Sequence, residues 1–211
     1  MLKLVGKNLW KSILMRILDK FKFINSPNLL FFNQLIISGT NFSVAVILSR
    51  ILGPELFGNF SLLWLVPLFL ISIQQSMITS PLYALGVKVQ NDKLNAYISS
   101  FFWITICLLI FFILTSLIFS SIIKKFSYFE FLDQFHFLII LCSCLYILQD
   151  FFKRILVFQK KYFMSLKLDV LAYGSYLFLT IICTYYDSIS ILNILQIFSI
   201  SFLFSSVYGF F

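Results

Sequence analysis

The sequence predicts an all-α integral membrane protein with six transmembrane helices, and its composition and its residue pattern both indicate this. Of the 211 residues, 61% are hydrophobic and 11% are charged, whereas a soluble domain has about 45–50% apolar and about 25% charged residues. The regular alternation of apolar and polar residues that a membrane β-barrel requires is absent, so helices are the spanning structure. The composition excludes a soluble domain, a disordered tail and a disulfide-rich secreted module.

Stretches without charge place the individual spans. No Asp, Glu, Lys or Arg lies between Lys22 and Arg50, between Glu55 and Lys88, or after Asp187. Three further apolar stretches lie between Lys88 and Asp187, and each stretch is long enough for one helix of about 20 residues and too short for two. The predicted spans are about 29–49, 59–79, 97–123, 135–152, 169–186 and 189–211.

Local signals mark the start of the first span and the connection to the second. Ser26 can cap the first helix, and Pro27 fits its first helical position. Gly53 and Pro54 break the chain after the first span, and Gly58 is interpreted as a site of tight packing. Spans four and five are the shortest, and their assignment depends on the distribution of charge.

The distribution of Lys and Arg predicts the orientation. If the loops alternate sides, one face collects 13 of these residues and the other collects 3. Because cytoplasmic loops carry the excess of Lys and Arg, the N-terminus, the second and fourth loops and the C-terminus are expected in the cytoplasm. Removing one span would destroy this separation, so the count also supports six spans.

The chain divides into a basic segment, 1–25, and a six-helix membrane domain, 26–211. The segment mixes apolar residues with six Lys and Arg, which favours a helix lying on the cytoplasmic leaflet or a tail that only sets the orientation. The net charge of +8 is explained by anionic membrane lipids as partners. No nucleic-acid fold pattern accompanies it, so nucleic acid is not an expected partner.

Polar side chains within the spans are candidate functional groups because they are costly in lipid. Ser and Thr are equally typical of helix packing. Asp150 and Asp169 are candidates for ion coupling, although both lie near predicted cytoplasmic ends where a side chain can reach water. The candidates for lining a cavity are the amides Asn33, Gln34, Asn41, Gln74, Gln75, Asn193 and Gln196.

The sequence contains no recognisable catalytic or metal-binding pattern. There is no Gly-rich phosphate loop, no Ser/His/Asp arrangement and no acidic cluster. Four Cys and the single His136 do not have metal-ligand spacing. The protein is therefore not expected to be an enzyme, nor to hold a metal or another cofactor.

Two blocks resemble bacterial polysaccharide flippases of the multidrug/oligosaccharidyl-lipid/polysaccharide exporter superfamily. Between the first two spans, Arg50, Gly53, Pro54, Glu55 and Gly58 match the pattern R-x-L-G-P-E-x-[FY]-G. Between spans four and five, an acidic-aromatic-basic patch that ends in Lys153 and Arg154 is also similar to the family.

The resemblance implies that the chain forms one lobe of a two-lobe transporter. Such a protein moves an undecaprenyl-diphosphate-linked glycan across the bacterial inner membrane by alternating access. It implies as partners the glycan lipid and either a missing C-terminal lobe, from a truncated gene, or a second copy of the chain. The family places cations in its cavity to meet the diphosphate, whereas the predicted spans here contain no Lys or Arg at mid-membrane.

Three alternatives to a flippase stay open at the level of sequence. The first is a membrane-embedded glycan polymerase or transferase, which the short outer loops disfavour. The second is a drug exporter of the same superfamily, which the block from Arg50 to Gly58 disfavours. The third is a scaffold without transport activity.

Overall fold

The protein is an all-α membrane protein, as the sequence predicts. The structure, a computed structural model, describes residues 28–123, 130–186 and 189–210. In these ranges six helices are long and apolar enough to cross a membrane. The predicted segment 1–25 and the capping residues Ser26 and Pro27 lie outside the described residues.

Within the described ranges the six spans comprise eight α-helical segments, because two spans are interrupted by a π-helical turn. These turns are Gln75–Thr79 in the second span and Val170–Gly174 in the fifth. A short 3₁₀ turn, Asn91–Lys93, precedes the third span. The α-helices are α1 Asn28–Ile51, α2 Gly53–Gln74, α3 Ser80–Gly86, α4 Leu94–Ile123, α5 Glu130–Phe158, α6 Tyr162–Asp169, α7 Ser175–Tyr185 and α8 Ile191–Phe210.

The break between the first two spans is much shorter than the loop predicted there. Only Leu52 lies outside a helix, and Gly53 turns the chain with φ +73°, a conformation that favours glycine. Pro54 lies in the first turn of α2, where its missing N–H has no helical partner to lose. The second span therefore begins at Gly53 rather than at residue 59, and most of the block from Arg50 to Gly58 is helical.

The fourth and fifth spans are also longer than predicted. α5 continues through Lys153 and Arg154 to Phe158, rather than ending at residue 152. The fifth span begins at Tyr162, rather than at residue 169. Charged residues set the predicted ends of these spans, but the helices continue through them because most of the charged side chains are paired within the bundle.

A Schellman motif ends α5. Lys160 adopts φ 60°, and the Lys161 N–H donates to the Leu156 carbonyl at 2.8 Å while the Lys160 N–H donates to Val157 at 2.9 Å. These are the two bonds of the motif, in which glycine usually occupies the left-handed position. The turn lets α6 begin two residues later and run back along α5.

α5 lies at the centre of the bundle and contacts α2, α4, α6 and α8. The core between α5, α7 and α8 is aromatic: Phe198 and Phe202 stack with centroids 3.9 Å apart, and Tyr176 meets Phe198 edge-on at 5.3 Å. Many large apolar side chains point away from the bundle, as expected for surfaces in contact with lipid. Examples are Phe31, Phe42, Phe69, Phe111, Phe178 and Phe204.

Candidate functional site

The candidate site is a charged network between α5 and α6, within the fourth and fifth spans as the structure has them. The Lys153 ammonium lies 2.8 Å from Oδ2 of Asp169, and the Asp169 side chain is fully buried while that of Lys153 is 15% exposed. Gln149 donates a hydrogen bond from Nε2 to the other carboxylate oxygen of Asp169 at 2.8 Å. Since an isolated buried charge is unfavourable, these two partners make the buried carboxylate tolerable.

A second ion pair lies within α5, next to the first. Arg154 Nε is 3.2 Å and 3.3 Å from the two carboxylate oxygens of Asp150, one helical turn earlier. The Arg154 side chain is 32% exposed and that of Asp150 is 7% exposed. Two cations and two carboxylates therefore lie together at one end of the bundle.

Further polar groups extend the network to α1 and α8. Asn33 of α1 donates from Nδ2 to the Ser165 hydroxyl at 3.2 Å, and Ser165 lies one turn before Asp169. The amide oxygen of Asn33 is buried and receives no hydrogen bond. From α8, Ser205 donates to the Leu168 carbonyl at 2.9 Å. The Asn33 oxygen is thus a buried acceptor with unused capacity, on a side chain that binds Ser165 one helical turn from Asp169.

Both π turns begin directly after a buried polar residue that binds α5. Gln74 donates to the Ile147 carbonyl of α5 at 3.4 Å, and the turn Gln75–Thr79 follows it. Asp169 binds Gln149 and Lys153 of α5, and the turn Val170–Gly174 follows it. π turns occur frequently at functional sites and mark places where a helix departs from regular geometry. Two irregular helices therefore contact neighbouring turns of the central helix through polar side chains.

The predicted cavity residues separate into three environments. Asn33 and Gln74 are buried between helices, and the oxygen of the Gln74 amide also receives no hydrogen bond. Gln75 and Asn193 are partly buried. The remaining three, which are exposed on the outside of the described bundle, are Gln34, Asn41 and Gln196.

Gln34, Ser38 and Asn41 form an exposed polar stripe along α1. Gln34 donates to the Ser38 hydroxyl at 3.3 Å on this face, whereas the buried face of α1 includes Val44 and Leu48. Farther along the stripe, Asn41 lines a groove of about 260 Å³ together with Ser61, Trp64 and Tyr176. This groove combines an amide, a hydroxyl and aromatic rings, which are the groups that bind sugar hydroxyls and sugar faces.

The other motif residues lie at the junction of α1 and α2. Arg50 is exposed in the last turn of α1, and Glu55 is exposed in the first turn of α2. A Cβ atom added at Gly58 would meet nothing within 4 Å. The interpretation of Gly58 as a site of tight packing is therefore wrong for the described part of the chain.

Sequence reasoning missed the contributions of Gln149 and Ser165 to this site. One signal was present, since Gln149 and Lys153 are four residues apart and so share a helix face, as Asp150 and Arg154 do. Nothing in the sequence indicates that this face meets Asp169, because that contact depends on how two helices pack.

The fold and the buried charges define the class: a multi-pass α-helical membrane protein with a polar site inside its bundle. Within the described residues, no three His, Cys, Asp or Glu side chains come together as a metal site would require. No protein-family model, curated protein or solved structure matches the chain.

Proposed function

We propose that the protein translocates lipid-linked oligosaccharide units across the bacterial inner membrane by alternating access, as one lobe of a two-lobe assembly. The observation that carries this proposal is the presence of two cations inside the fourth span. Ionisable residues within a membrane bundle indicate a functional site because they are costly to keep there. A diphosphate-linked lipid is a substrate whose charge such cations can meet.

Lys153 and Arg154 suit this role better than their sequence positions indicated. The predicted spans held no internal cation, but α5 extends to Phe158 and carries both side chains within the bundle. Each cation is paired with an aspartate, Asp169 or Asp150. The pairing keeps the site stable without substrate, and the Arg154 side chain is 32% exposed, so an anion can approach it.

The glycan part of the substrate is proposed to bind in the groove at Asn41 and Trp64. Asn41 lies near the middle of α1, so its exposed amide is at membrane depth. Polar groups at that depth are favourable only beside water, a ligand or another protein. A second lobe or a second copy facing α1 would enclose a polar cavity lined by Gln34 and Asn41.

Asp169 is the proposed coupling residue for an ion. Its carboxylate is fully buried and lies one turn from Ser165, whose hydroxyl binds Asn33. A buried carboxylate inside a membrane bundle can bind and release a proton, as the acidic residues of proton relays do. The proposed orientation, with the N-terminus in the cytoplasm, is supported by the excess of Lys and Arg on that face, which is still 10 against 3 when Lys153, Arg154 and Lys167, which lie within the spans, are left out.

The test is a deletion strain complemented with the full chain or with variants. A charge-free variant, Lys153→Met with Asp169→Leu, removes one ion pair without leaving either charge buried alone. We expect lipid-linked repeat units to accumulate in the cytoplasmic leaflet in the deletion strain and in this variant. The matched control Lys88→Gln, an exposed lysine in the turn after α3, should restore transport.

Normal surface glycan and no accumulation in the deletion strain would contradict the proposal. Accumulation of an exported drug instead would favour the exporter alternative. Quantifying the variant protein in the membrane fraction separates loss of transport from loss of the protein.

A further inference from the structure

A second feature, outside the charged network, lies on the exposed side of the fifth span. A groove of about 440 Å³ runs along α6, the π turn and the start of α7. Its volume is within the range of about 300–1,000 Å³ typical of small-molecule sites. It is lined by Phe163, Leu166, Lys167, Val170, Leu171 and Ser175.

The length of this groove matches one leaflet of a bilayer. Twelve residues separate Phe163 from Ser175, which at about 1.5 Å per residue is roughly 18 Å. Half of the hydrocarbon core is about 15 Å thick. An extended lipid chain in one leaflet can therefore lie along the whole groove.

The end of the groove near α6 carries lysines that have no acidic partner within the described residues. The Lys167 ammonium lies 4.7 Å from the centroid of the Phe163 ring, and Lys160 and Lys161 are exposed in the preceding turn. Among the described residues, no acidic side chain is paired with any of these three lysines. The acidic residue nearest to Lys167 along the chain, Asp169, faces Lys153 inside the bundle.

We propose that this groove binds one anionic phospholipid of the cytoplasmic leaflet. Its phosphate meets the Lys167 ammonium, with Lys161 contributing to the same positive field, and an acyl chain lies along Val170 and Leu171. Charge complementarity identifies the occupant, since the cytoplasmic leaflet is the one rich in anionic lipid and basic residues at its surface attract it. The site does not depend on what the protein transports.

The proposal is tested on the purified full chain in mild detergent by native mass spectrometry. Phosphatidylglycerol and phosphatidylcholine with identical acyl chains are titrated in parallel. We expect several-fold more phosphatidylglycerol than phosphatidylcholine to stay bound, and Lys167→Gln to reduce the difference to near zero. The matched control Lys88→Gln removes the same charge elsewhere on the chain and should retain the preference.

A second variant separates the groove from the charge alone. Leu171→Gln keeps every lysine but makes the groove polar, so it should also weaken retention of phosphatidylglycerol. Equal retention of the two lipids by the unmodified protein, or no effect of Lys167→Gln, would overturn the proposal. An effect of Lys167→Gln without any effect of Leu171→Gln, together with displacement by inorganic phosphate, would reduce the site to an anion site and overturn the lipid assignment.

Discussion

At the scale of single residues, the ion pair between Lys153 and Asp169 is the interaction with the largest expected consequences. The carboxylate is fully buried, and the ammonium is the only cation within ion-pair distance of it among the described residues. Removing one partner of a buried ion pair destabilises the protein more than replacing both partners with apolar residues, because the remaining charge stays in a medium of low polarity.

Asp169→Asn should destabilise the protein by about 3–5 kcal/mol, because it leaves the Lys153 ammonium without its counter-charge. The double variant Lys153→Met with Asp169→Leu should be markedly more stable than Asp169→Asn. Thermal unfolding in detergent measures both, with the exposed Asp92→Asn as a control. Equal stability of Asp169→Asn and the unmodified protein would contradict the buried pair.

Lys160→Gly should stabilise the protein by about 0.5–1 kcal/mol. Lys160 has φ 60°, which costs an L-residue about 1–2 kcal/mol, and part of that gain is lost to the greater freedom of glycine when unfolded. A rise in the unfolding temperature is the expected readout. Lys161→Gly, at a neighbouring residue with φ −88°, should lower it instead.

At the scale of elements, charge-free windows predicted the existence and the order of six helices, because crossing a bilayer demands long apolar segments whatever their neighbours are. The windows predicted the wrong boundary at the C-terminal end of α5 and at the start of α6. Lys153 is predicted just outside the fourth span and Asp169 at the first residue of the fifth, because those boundaries follow charge alone, and only the packing of α6 on α5 pairs the two side chains. The two π turns had no sequence signal either, since they depend on where Gln74 and Asp169 meet α5.

Deleting Ser76 from the turn Gln75–Thr79 should leave the fold intact and abolish transport. A π turn contains one residue more than the regular helix, so its removal restores α-helical bonding and keeps the faces on both sides in place. Transport should fail if the irregular turn lets α2 and α3 move relative to each other. Unfolding temperature and glycan-lipid accumulation are measured together.

The matched control deletes Ile104, an exposed residue in the regular helix α4. That deletion turns everything after it by about 100° and should destabilise the protein. Full transport after deletion of Ser76 would contradict a role for the π turn.

Gly209→Ala should destabilise the contact of α8 with α5 and α6 by about 1–3 kcal/mol. A Cβ there would lie 2.8 Å from Leu168 Cδ1 and 2.9 Å from Phe152 Cβ, and the latter atom is fixed to its backbone. Gly39→Ala, where a Cβ meets nothing within 4 Å, should be neutral or stabilising by up to about 1 kcal/mol. Similar unfolding temperatures for the two variants would contradict this difference in packing.

At the scale of the whole molecule, the fold class and the membrane location followed from composition, but the arrangement of the polar residues did not. Gln34 and Asn41 are seven residues apart and therefore share one face of α1, yet this spacing does not indicate that the face lies outside the described bundle. Asn33, one residue away from Gln34, is buried against Ser165. A polar stripe gives the face of a helix, whereas the neighbour that covers this face is set by the assembled bundle.

Gln34→Leu combined with Asn41→Leu should change the stability of the bundle by no more than about 0.5 kcal/mol, because both side chains are exposed. Transport should nevertheless fall if the face lines a shared cavity. The accumulation assay and the unfolding temperature together measure this. Unchanged transport would exclude the α1 face from the pathway.

The distance along the chain between polar partners has a consequence for biosynthesis. Asn33 precedes Ser165 by 132 residues, and Gln74 precedes its acceptor on α5 by 73. The ribosome therefore delivers the first two spans to the membrane long before their partners exist, and their amides enter the bilayer unsatisfied. The amides of Asn33 and Gln74 gain their partners only when α5 and α6 insert. Until then, these amides need hydrogen bonds from water or from the insertion machinery.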